Sequence, residues 1–491
     1  MKKDYEAALG FLYGRIDYER TPTIPYQEGH LKLERMQTLL QLIGDPQKQL
    51  PVIHVAGSKG KGSTATMIAA ILTAAGKSIG LYTSPHLDRL EERICIDGTM
   101  CTTAELVELV DVLRPAVDEM DRHASRTQDD HGQPTYFEIV TALAMLHFQR
   151  KNVDYGVLEV GLGGRLDSTN VCNPIVTVIT SISLDHTIQL GNTLASIARE
   201  KAGIVKPRVP LVNGVRDGVG RQVIEEVAAE RGSPSVILGV DFDFKYYPRS
   251  SRRGDMADAT VTTARTAITG NLDYLPSNSL LGASLFEMRL GMLGQHQAAN
   301  AAIATTAIRL LAKDGEQASE SAIRAGISGA QCPGRTDLIS TNPTVVLDGA
   351  HNDASIGALL SVLDESFGGR PRIIVFGSTR GKDIRGMLSL IEDSCEHLLF
   401  TQYHDNPRSH PVEQLVEVFS SLSTTQQSRR PSIQVWPDPH DAWRAACNIA
   451  TTDHVICITG SFFLAAELRP IVLAHTGLSG TPGISDIIRE S

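Results

Sequence analysis

No apolar run in this chain approaches the roughly 20 residues that a bilayer-spanning helix needs. The opening residues, Met1-Lys2-Lys3-Asp4-Tyr5-Glu6, contain no apolar stretch of the secretory kind, so the cytoplasm is the expected location. Cysteine is sparse: seven residues, an odd number, scattered and without a C-x-x-C pair. That excludes a fully paired disulfide framework and a cysteine-rich metal knot, and agrees with reduced thiols. Excess positive charge is also missing. Lys and Arg number 46 against 56 Asp and Glu, a formal net charge of −10, which argues against bulk binding to nucleic acid or an anionic membrane. There is no internal repeat and no long low-complexity tract.

The chain has 491 residues, 42% apolar and 21% charged, so a soluble α/β protein of at least two domains is expected. Pro51 to Val55, Ile79 to Tyr82, Tyr155 to Val160 and Ile175 to Ser181 read as buried strands. Between the first two, Ser63 to Ala75 sets Met67, Ile68, Ile71 and Leu72 on one helical face and stops at Gly76. The polar stretch Asp118 to Pro134 is expected to be an exposed excursion, and roughly 235–295 an irregular or β-rich subregion. A second alternation follows Gln331-Cys332-Pro333-Gly334-Arg335. Its strands are Thr344 to Leu347, Arg372 to Phe376, His397 to Thr401, Ile433 to Trp436 and Val455 to Thr459. Helical patterns separate them, the mark of a second doubly wound unit. The expected division is 1–330 and 331–491, with a loosely held end from Gly477 to Ser491.

The strongest local signal is His54-Val55-Ala56-Gly57-Ser58-Lys59-Gly60-Lys61-Gly62-Ser63-Thr64, which joins a strand to a helix. Glycines let backbone N–H groups turn toward an anion, and the helix start adds positive potential. Lys61 is placed to reach terminal phosphates, and Ser63 or Thr64 to face a metal ion. The general P-loop has Ser or Thr directly after the Lys; here Gly62 intervenes. A triphosphate needs a hard cation with oxygen ligands. Ser84, Glu159 and His186 each follow or end a strand of the first group, so a parallel sheet would deliver them to one edge. His is an unusual partner for magnesium. Lys201 lies at the end of a short helical segment, where a cation compensating the helix dipole is sufficient explanation.

Taken in order, these segments resemble the dihydrofolate synthase/folylpolyglutamate synthase family of Mur-type ligases over nearly the whole chain. The family loop G-T-N-G-K-G-S is matched by Gly57 to Ser63 (GSKGKGS), extra glycine included. Thr83 to Leu87 matches its S-P-H-L segment, and Glu159 to Asn170 (EVGLGGRLDSTN) its most diagnostic stretch. Leu184 to His186, Glu200 to Ile204, Pro333 to Arg335, Asp348 to Asn352 and Gly460-Ser461 match L-D-H, K-A-G-I, P-G-R, D-G-A-H-N and the final T-G-S. Lys59 departs from the family's Asn and adds positive charge to the loop. Arg380-Gly381-Lys382-Asp383 is a loose version of the K-D motif, and the 118–134 stretch is longer than expected.

The resemblance implies a P-loop central domain of Mur-ligase type followed by a smaller Rossmann-like domain, with ATP and Mg2+ as cofactors. It implies ATP contacts from Gly57, Ser58, Lys59, Gly60, Lys61, Gly62, Ser63, Asn300, Arg335 and Asp348, with His351 close by. Magnesium would be held by Ser84, Glu159, His186 and a carbamylated Lys201. Lys61, Lys201 and His351 are the implied catalytic residues. The pterin substrate would meet Leu31, Lys32, Leu33, Thr135, Tyr136, Phe137, Glu138, Leu166, Asp167 and Ser168. Phe137 offers a face for a flat heterocycle, and Asp167 an acceptor for a pterin edge. The expected partners are dihydropteroate, tetrahydrofolate and L-glutamate, with no nucleic acid or membrane, and the expected state is a monomer. Four other readings compete. They are a folylpolyglutamate synthase without the first activity, a peptidoglycan-type Mur ligase, a small-molecule kinase, and an ATP-binding switch without ligase chemistry. The Mur ligase needs a front domain for which only about 50 residues are available. The kinase leaves the second unit unexplained.

Overall fold

The computed structural model describes residues 2–19, 33–129, 132–249, 260–311, 318–404, 406–422 and 430–475. Leu31, Lys32 and Gly477 to Ser491 lie outside the described residues. The first sheet is built from β1 (Val52–Ala56), β2 (Ile79–Tyr82), β3 (Ile94–Ile96), β4 (Thr99–Met100), β5 (Tyr155–Glu159), β6 (Pro174–Ile179), β7 (Leu211–Asn213) and β8 (Ser235–Ile237). Their spatial order is β4-β3-β2-β5-β1-β6-β7-β8. Neighbours from β2 through β8 pair in parallel, and β3 with β4 forms an antiparallel ribbon on β2. The four strands expected from sequence stand within two residues of their predicted places.

β1 is buried at every position, as a strand flanked on both sides must be. Its one polar residue, His54, meets Thr169 Oγ1 at 2.8 Å. Burial lowers the His54 pKa to about 3, so it stays neutral. The helix after β1, Lys61–Ala74, packs against helices Gln295–Leu311 and Glu320–Gly329. Gly326 permits that approach, since a Cβ there would overlap the Ile71 backbone.

The 118–134 stretch corrects the expectation of an exposed excursion. Up to Thr127 it continues one long helix, Thr103–Thr127, in which Leu106, Leu109, Val110, Leu113, Val117, Met120 and Ala124 are buried. That is a helical stripe. Its outer face is so charged that Met120 and Ala124 look isolated in the sequence.

The 235–295 subregion holds a three-stranded antiparallel sheet of β9 (Phe242–Tyr247), β10 (Asn271–Pro276) and β11 (Leu285–Arg289), in the order β11-β10-β9. The last sheet contains β12 (Asp337–Thr341), β13 (Thr344–Leu347), β14 (Arg372–Phe376), β15 (His397–Phe400), β16 (Ser432–Val435) and β17 (Val455–Thr459). Its order is β12-β13-β17-β14-β15-β16, parallel apart from β12. β12 is missed by sequence reading because Asp337-Leu338-Ile339-Ser340-Thr341 is short and half polar. Helices Asp353–Phe367, Ile384–Ile391, Val412–Ser420 and Pro439–Ile449 follow β13, β14, β15 and β16.

An apolar contact links the two halves of the chain. Leu87, from the loop after β2, is buried in the same cluster as Ile339, Val345 and Ile458 of the last sheet. No helix among the described residues is long and apolar enough to cross a membrane.

Candidate active site

The carboxyl end of β1 turns directly into Gly57–Gly60. The loop is laced to the end of β6: Ser58 N donates to Ser181 O at 2.8 Å, Lys59 N to Ser181 Oγ at 2.9 Å, and Thr180 Oγ1 to Lys59 O at 2.6 Å. Gly60 then starts the helix from the left-handed region, with φ of 81°. A side chain at that position would be strained and would overlap Asn300. The first intrahelical bond here runs from Thr64 N to Gly60 O (2.9 Å), so the N–H groups of Lys61, Gly62 and Ser63 precede the helical ladder. They form an anion cradle at a helix start. Asn300 backs this cradle, donating to Gln297 Oε1 at 2.9 Å, while Gln297 Nε2 donates to Ser63 Oγ at 3.3 Å.

Glu159 ends β5 and is buried beside Gly62. Among the described residues it accepts a single hydrogen bond, from Ser84 N at 3.0 Å. Burial pushes its pKa up, opposed by the Lys61 cation, the Ser84 N–H and Arg335. A buried carboxylate with this little hydrogen bonding has lone pairs left for a hard cation, so the donor chemistry fits magnesium. Ser84 therefore lies beside Glu159 as the sheet-edge argument requires. His186 is left-handed, starts the short helix Thr187–Leu190 with its side chain 44% exposed, and lies within electrostatic reach of Lys61 and Lys201.

Lys201 is not a solvated helix-end cation, which corrects the simpler reading of its position. It is 4% exposed on the last turn of helix Leu194–Ala202, and its Nζ donates to Gly57 O at 2.9 Å. Burial, then the nearby Lys61 charge, brings its pKa down to about 7.

Lys59 also departs from expectation. Its ammonium turns away from the cradle toward Asp185 Oδ2 (2.8 Å) and His351 Nε2 (3.2 Å). Asp185 is the residue that sequence reasoning passed over. Its Oδ1 meets Lys382 Nζ at 3.4 Å, so one carboxylate joins the phosphate loop to the C-terminal half. Burial pushes the Asp185 carboxyl up, but His186, Lys59 and Lys382 outweigh it and hold the group well below the usual carboxylate range. The available signal was charge complementarity between two quoted motifs, the acid of Leu184-Asp185-His186 and the base of Arg380 to Asp383. Gln297 was likewise within a quoted segment and unremarked.

From the C-terminal half, His351 Nδ1 sits 2.8 Å from Gly349 O, which assigns the ring proton to Nδ1 and leaves Nε2 to accept from Lys59. Burial and the Lys59 and Lys382 charges hold this imidazole well below its ordinary pKa. Asp348 accepts from Thr336 N (2.6 Å) and Ala350 N (2.7 Å), shaping its own loop. Arg335 lies over the Phe462 ring at 5.3 Å and within electrostatic reach of Glu159.

The segments expected to meet a pterin carry more structural duty than the sequence suggested. Thr135 caps helix Tyr136–Arg150 in a capping box with Glu138. Glu138 also pairs with Arg35 at 2.8 Å, both side chains 4% exposed. Tyr136 is buried, stacked on Tyr13 with Arg93 over its ring. Asp167 accepts from Leu162 N (2.9 Å) and Thr169 N (3.0 Å), so the acceptor expected to be open already clasps the Gly161–Arg165 loop. Leu33 opens helix Leu33–Leu42; Leu33, Phe137, Leu166 and Ser168 remain partly exposed, with Phe137 against Gly161 and tilted on Tyr82.

Residues 55–308 match the Mur ligase middle domain, and residues 334–462 the Mur ligase glutamate ligase domain. The dihydrofolate synthase/folylpolyglutamate synthase of Bacillus subtilis is 32% identical over 467 residues, 95% of this chain and 98% of that protein. The Mycobacterium tuberculosis protein of the same name is 36% identical over 389 residues, 78% of this chain and 76% of its own. Among solved structures, Mycobacterium tuberculosis folylpolyglutamate synthase complexed with ADP superposes with a TM-score of 0.80 at 29% identity, covering 96% of this chain and 98% of that one. FolC of E. coli in complex with DHPP and ADP gives 0.75 at 28% identity, with the same coverage. Extended over both halves of the chain and over the cleft between them, this likeness places the protein in the dihydrofolate synthase/folylpolyglutamate synthase family of Mur ligases.

Proposed function

We propose that the chain joins L-glutamate by an amide bond to dihydropteroate, giving dihydrofolate, and to tetrahydrofolate, lengthening its glutamate tail. ATP-dependent glutamate ligation in folate metabolism is the activity that family membership carries. The observation that supports this reading is one cleft in which the phosphate loop, Glu159 and Lys201 face Arg335 and His351 from the other half. Residues 1–330 would bind ATP and pterin, and residues 331–491 would close over them, in a cytoplasmic monomer.

A carboxylate does not form an amide with an amine unaided at neutral pH. In this proposal a substrate carboxylate oxygen attacks the γ-phosphorus of ATP held in the cradle and breaks its bond to the β–γ bridging oxygen, giving an acyl phosphate and ADP, while Lys61 and the loop N–H groups offset the migrating charge. The glutamate amino group then attacks the acyl phosphate, releasing phosphate. Arg335 and Asp348 would contact ATP, with Asn300 bracing the loop. His351, neutral and with Nε2 accepting, would position phosphate or glutamate while the closed lobe excludes water. Glu159, Ser84, His186 and a carbamylated Lys201 would hold magnesium, which when bound neutralises part of the triphosphate charge. The partly exposed faces of Phe137, Leu166 and Ser168 would meet the pterin.

Carbamylation needs a neutral amine: the Lys201 nitrogen attacks CO2, loses a proton and becomes an anionic carbamate. With its pKa brought down to about 7, Lys201 supplies neutral amine far more readily than an ordinary lysine, which is almost wholly charged near pH 7. Turnover is expected to fall when dissolved CO2 is stripped and to recover with bicarbonate. A high-resolution density map showing a plain ammonium beside bound magnesium would refute the carbamate.

The ligase reading is tested by omission. With ATP, magnesium, dihydropteroate and glutamate present, dihydrofolate and ADP should form together. Leaving out either organic substrate should abolish the product. ADP release that is indifferent to both substrates, with no dihydrofolate formed, would favour the ATP-binding switch. Product with tetrahydrofolate alone would favour the folylpolyglutamate synthase lacking the first activity.

A further inference from the structure

We propose that Glu396, His397 and His454 form a binding site for a divalent transition metal of the zinc class, separate from the ATP cleft. His397 is the first residue of β15, Glu396 precedes it, and His454 precedes β17. These two strands flank β14, and all three run in parallel toward the cleft. The trio therefore lies at the opposite, amino-terminal end of the last sheet.

One ligand atom from each residue lies within 4.8 Å of the others, and His454 Nε2 is 3.9 Å from Glu396 Oε2. A tetrahedral zinc ion at about 2.0–2.2 Å from each ligand needs these atoms about 3.3–3.6 Å apart, so the side chains must close in around it. Glu396 is 48% exposed and has room to turn inward. Among the described residues, His397 Nδ1 and His454 Nε2 are buried without a hydrogen-bond partner. Buried imidazole nitrogens in that state are costly unless something satisfies them.

The surrounding bonds hold the three residues in place. Glu396 N donates to Arg372 O at 2.9 Å and Glu396 O accepts from Ser432 N at 2.9 Å, so this backbone is fixed from both sides. Arg370 donates to the carbonyls of Asp453 (2.9 Å) and His454 (3.0 Å), fixing the turn before β17. Thr451 governs the His454 tautomer. With Nδ1 accepting from Thr451 N (3.1 Å), the ring proton lies on Nε2, which has Glu396 Oε2 at 3.9 Å. If the ring proton moves to Nδ1 and donates to Thr451 Oγ1 (2.8 Å), the bond from Thr451 N is given up and the Nε2 lone pair is freed for a metal. The second arrangement is the outer-shell bond usual for a metal-bound histidine. Two imidazoles and one carboxylate favour zinc, nickel or cobalt over magnesium or calcium. A metal here would tie β15 to β17 across the start of β14.

The test uses the full chain without a polyhistidine tag, stripped with chelator and saturated with Mg–ADP to occupy the cleft. Zinc chloride is titrated calorimetrically, and cobalt chloride is followed by its tetrahedral absorption. One equivalent should bind and raise the thermal midpoint in a concentration-dependent way. His397→Ala and His454→Ala should each weaken binding by about tenfold or more. Glu396→Ala, a surface change with little risk to folding, should also weaken it while leaving glutamate ligation unchanged. Zinc binding of equal strength in wild type and Glu396→Ala and His397→Ala, or no binding to wild type, would overturn the site.

Discussion

Lys61→Ala is expected to lower kcat by about 10³-fold, roughly 4 kcal/mol of transition-state stabilisation, with little change in unfolding temperature. Lys61 opens the helix that follows the cradle and is partly exposed. Its charge is the first of those that offset the buried Glu159 carboxylate, which can take up a proton when Lys61 is gone, and this limits the cost to the fold. The charge it lends is needed most as the phosphoryl group moves, and the loss should fall on kcat more than on KM for ATP. Loss of the cradle geometry would look different, because ATP affinity and stability would fall together. Steady-state kinetics with a thermal melt of the same preparation separates the two. A variant within threefold of wild type in kcat would remove Lys61 from the phosphoryl-transfer step.

Glu159→Gln should cost about 10²–10³-fold in turnover while leaving the metal-free protein as stable as wild type or slightly more so. Glu159 has its folded pKa raised by burial. A raised carboxyl pKa means the folded protein resists the anion, so the penalty is absent below the unfolded pKa and sets in as pH rises through the folded one. At neutral pH the wild type bears that penalty, and the neutral amide relieves it. A buried carboxylate whose loss does not weaken the fold is present for another purpose, which in the proposed reading is to hold magnesium. Melting curves with and without magnesium give the readout: magnesium with ATP should stabilise wild type and do much less for the variant. Near-normal turnover, or a variant destabilised without metal, would count against the ligand role.

Much of the fold was legible because its strands are continuous apolar runs bounded by turn residues, as β1 and β14 illustrate with every residue buried. The helix Thr103–Thr127 was only half legible, since its outer face outweighs its stripe in the Asp118 to Thr127 portion. The site followed the same rule. Local patterns located the phosphate loop and the strand-end groups, because chemistry and backbone geometry are set there by neighbours in sequence. Long-range partners were not readable: nothing near Lys59 announces Asp185, and nothing near Glu138 announces Arg35. The assignment of Thr135, Tyr136 and Asp167 to a substrate surface underestimated how much capping, stacking and loop closure these residues already supply. Burial of that kind is decided by the assembled fold, and a single sequence does not display it.

The loop from Ser84 to Leu87 acts as a short mechanical linkage. At one end Ser84 N holds Glu159, and at the other Leu87 is seated in the C-terminal sheet's core, with Gly334 against it. Three residue steps span about 10 Å at most, which sets the limit of the loop's reach. A tilt of the distal lobe beyond that reach would have to unseat Leu87 or tug on the Glu159 carboxylate, which would gear lobe movement to the proposed phosphate site.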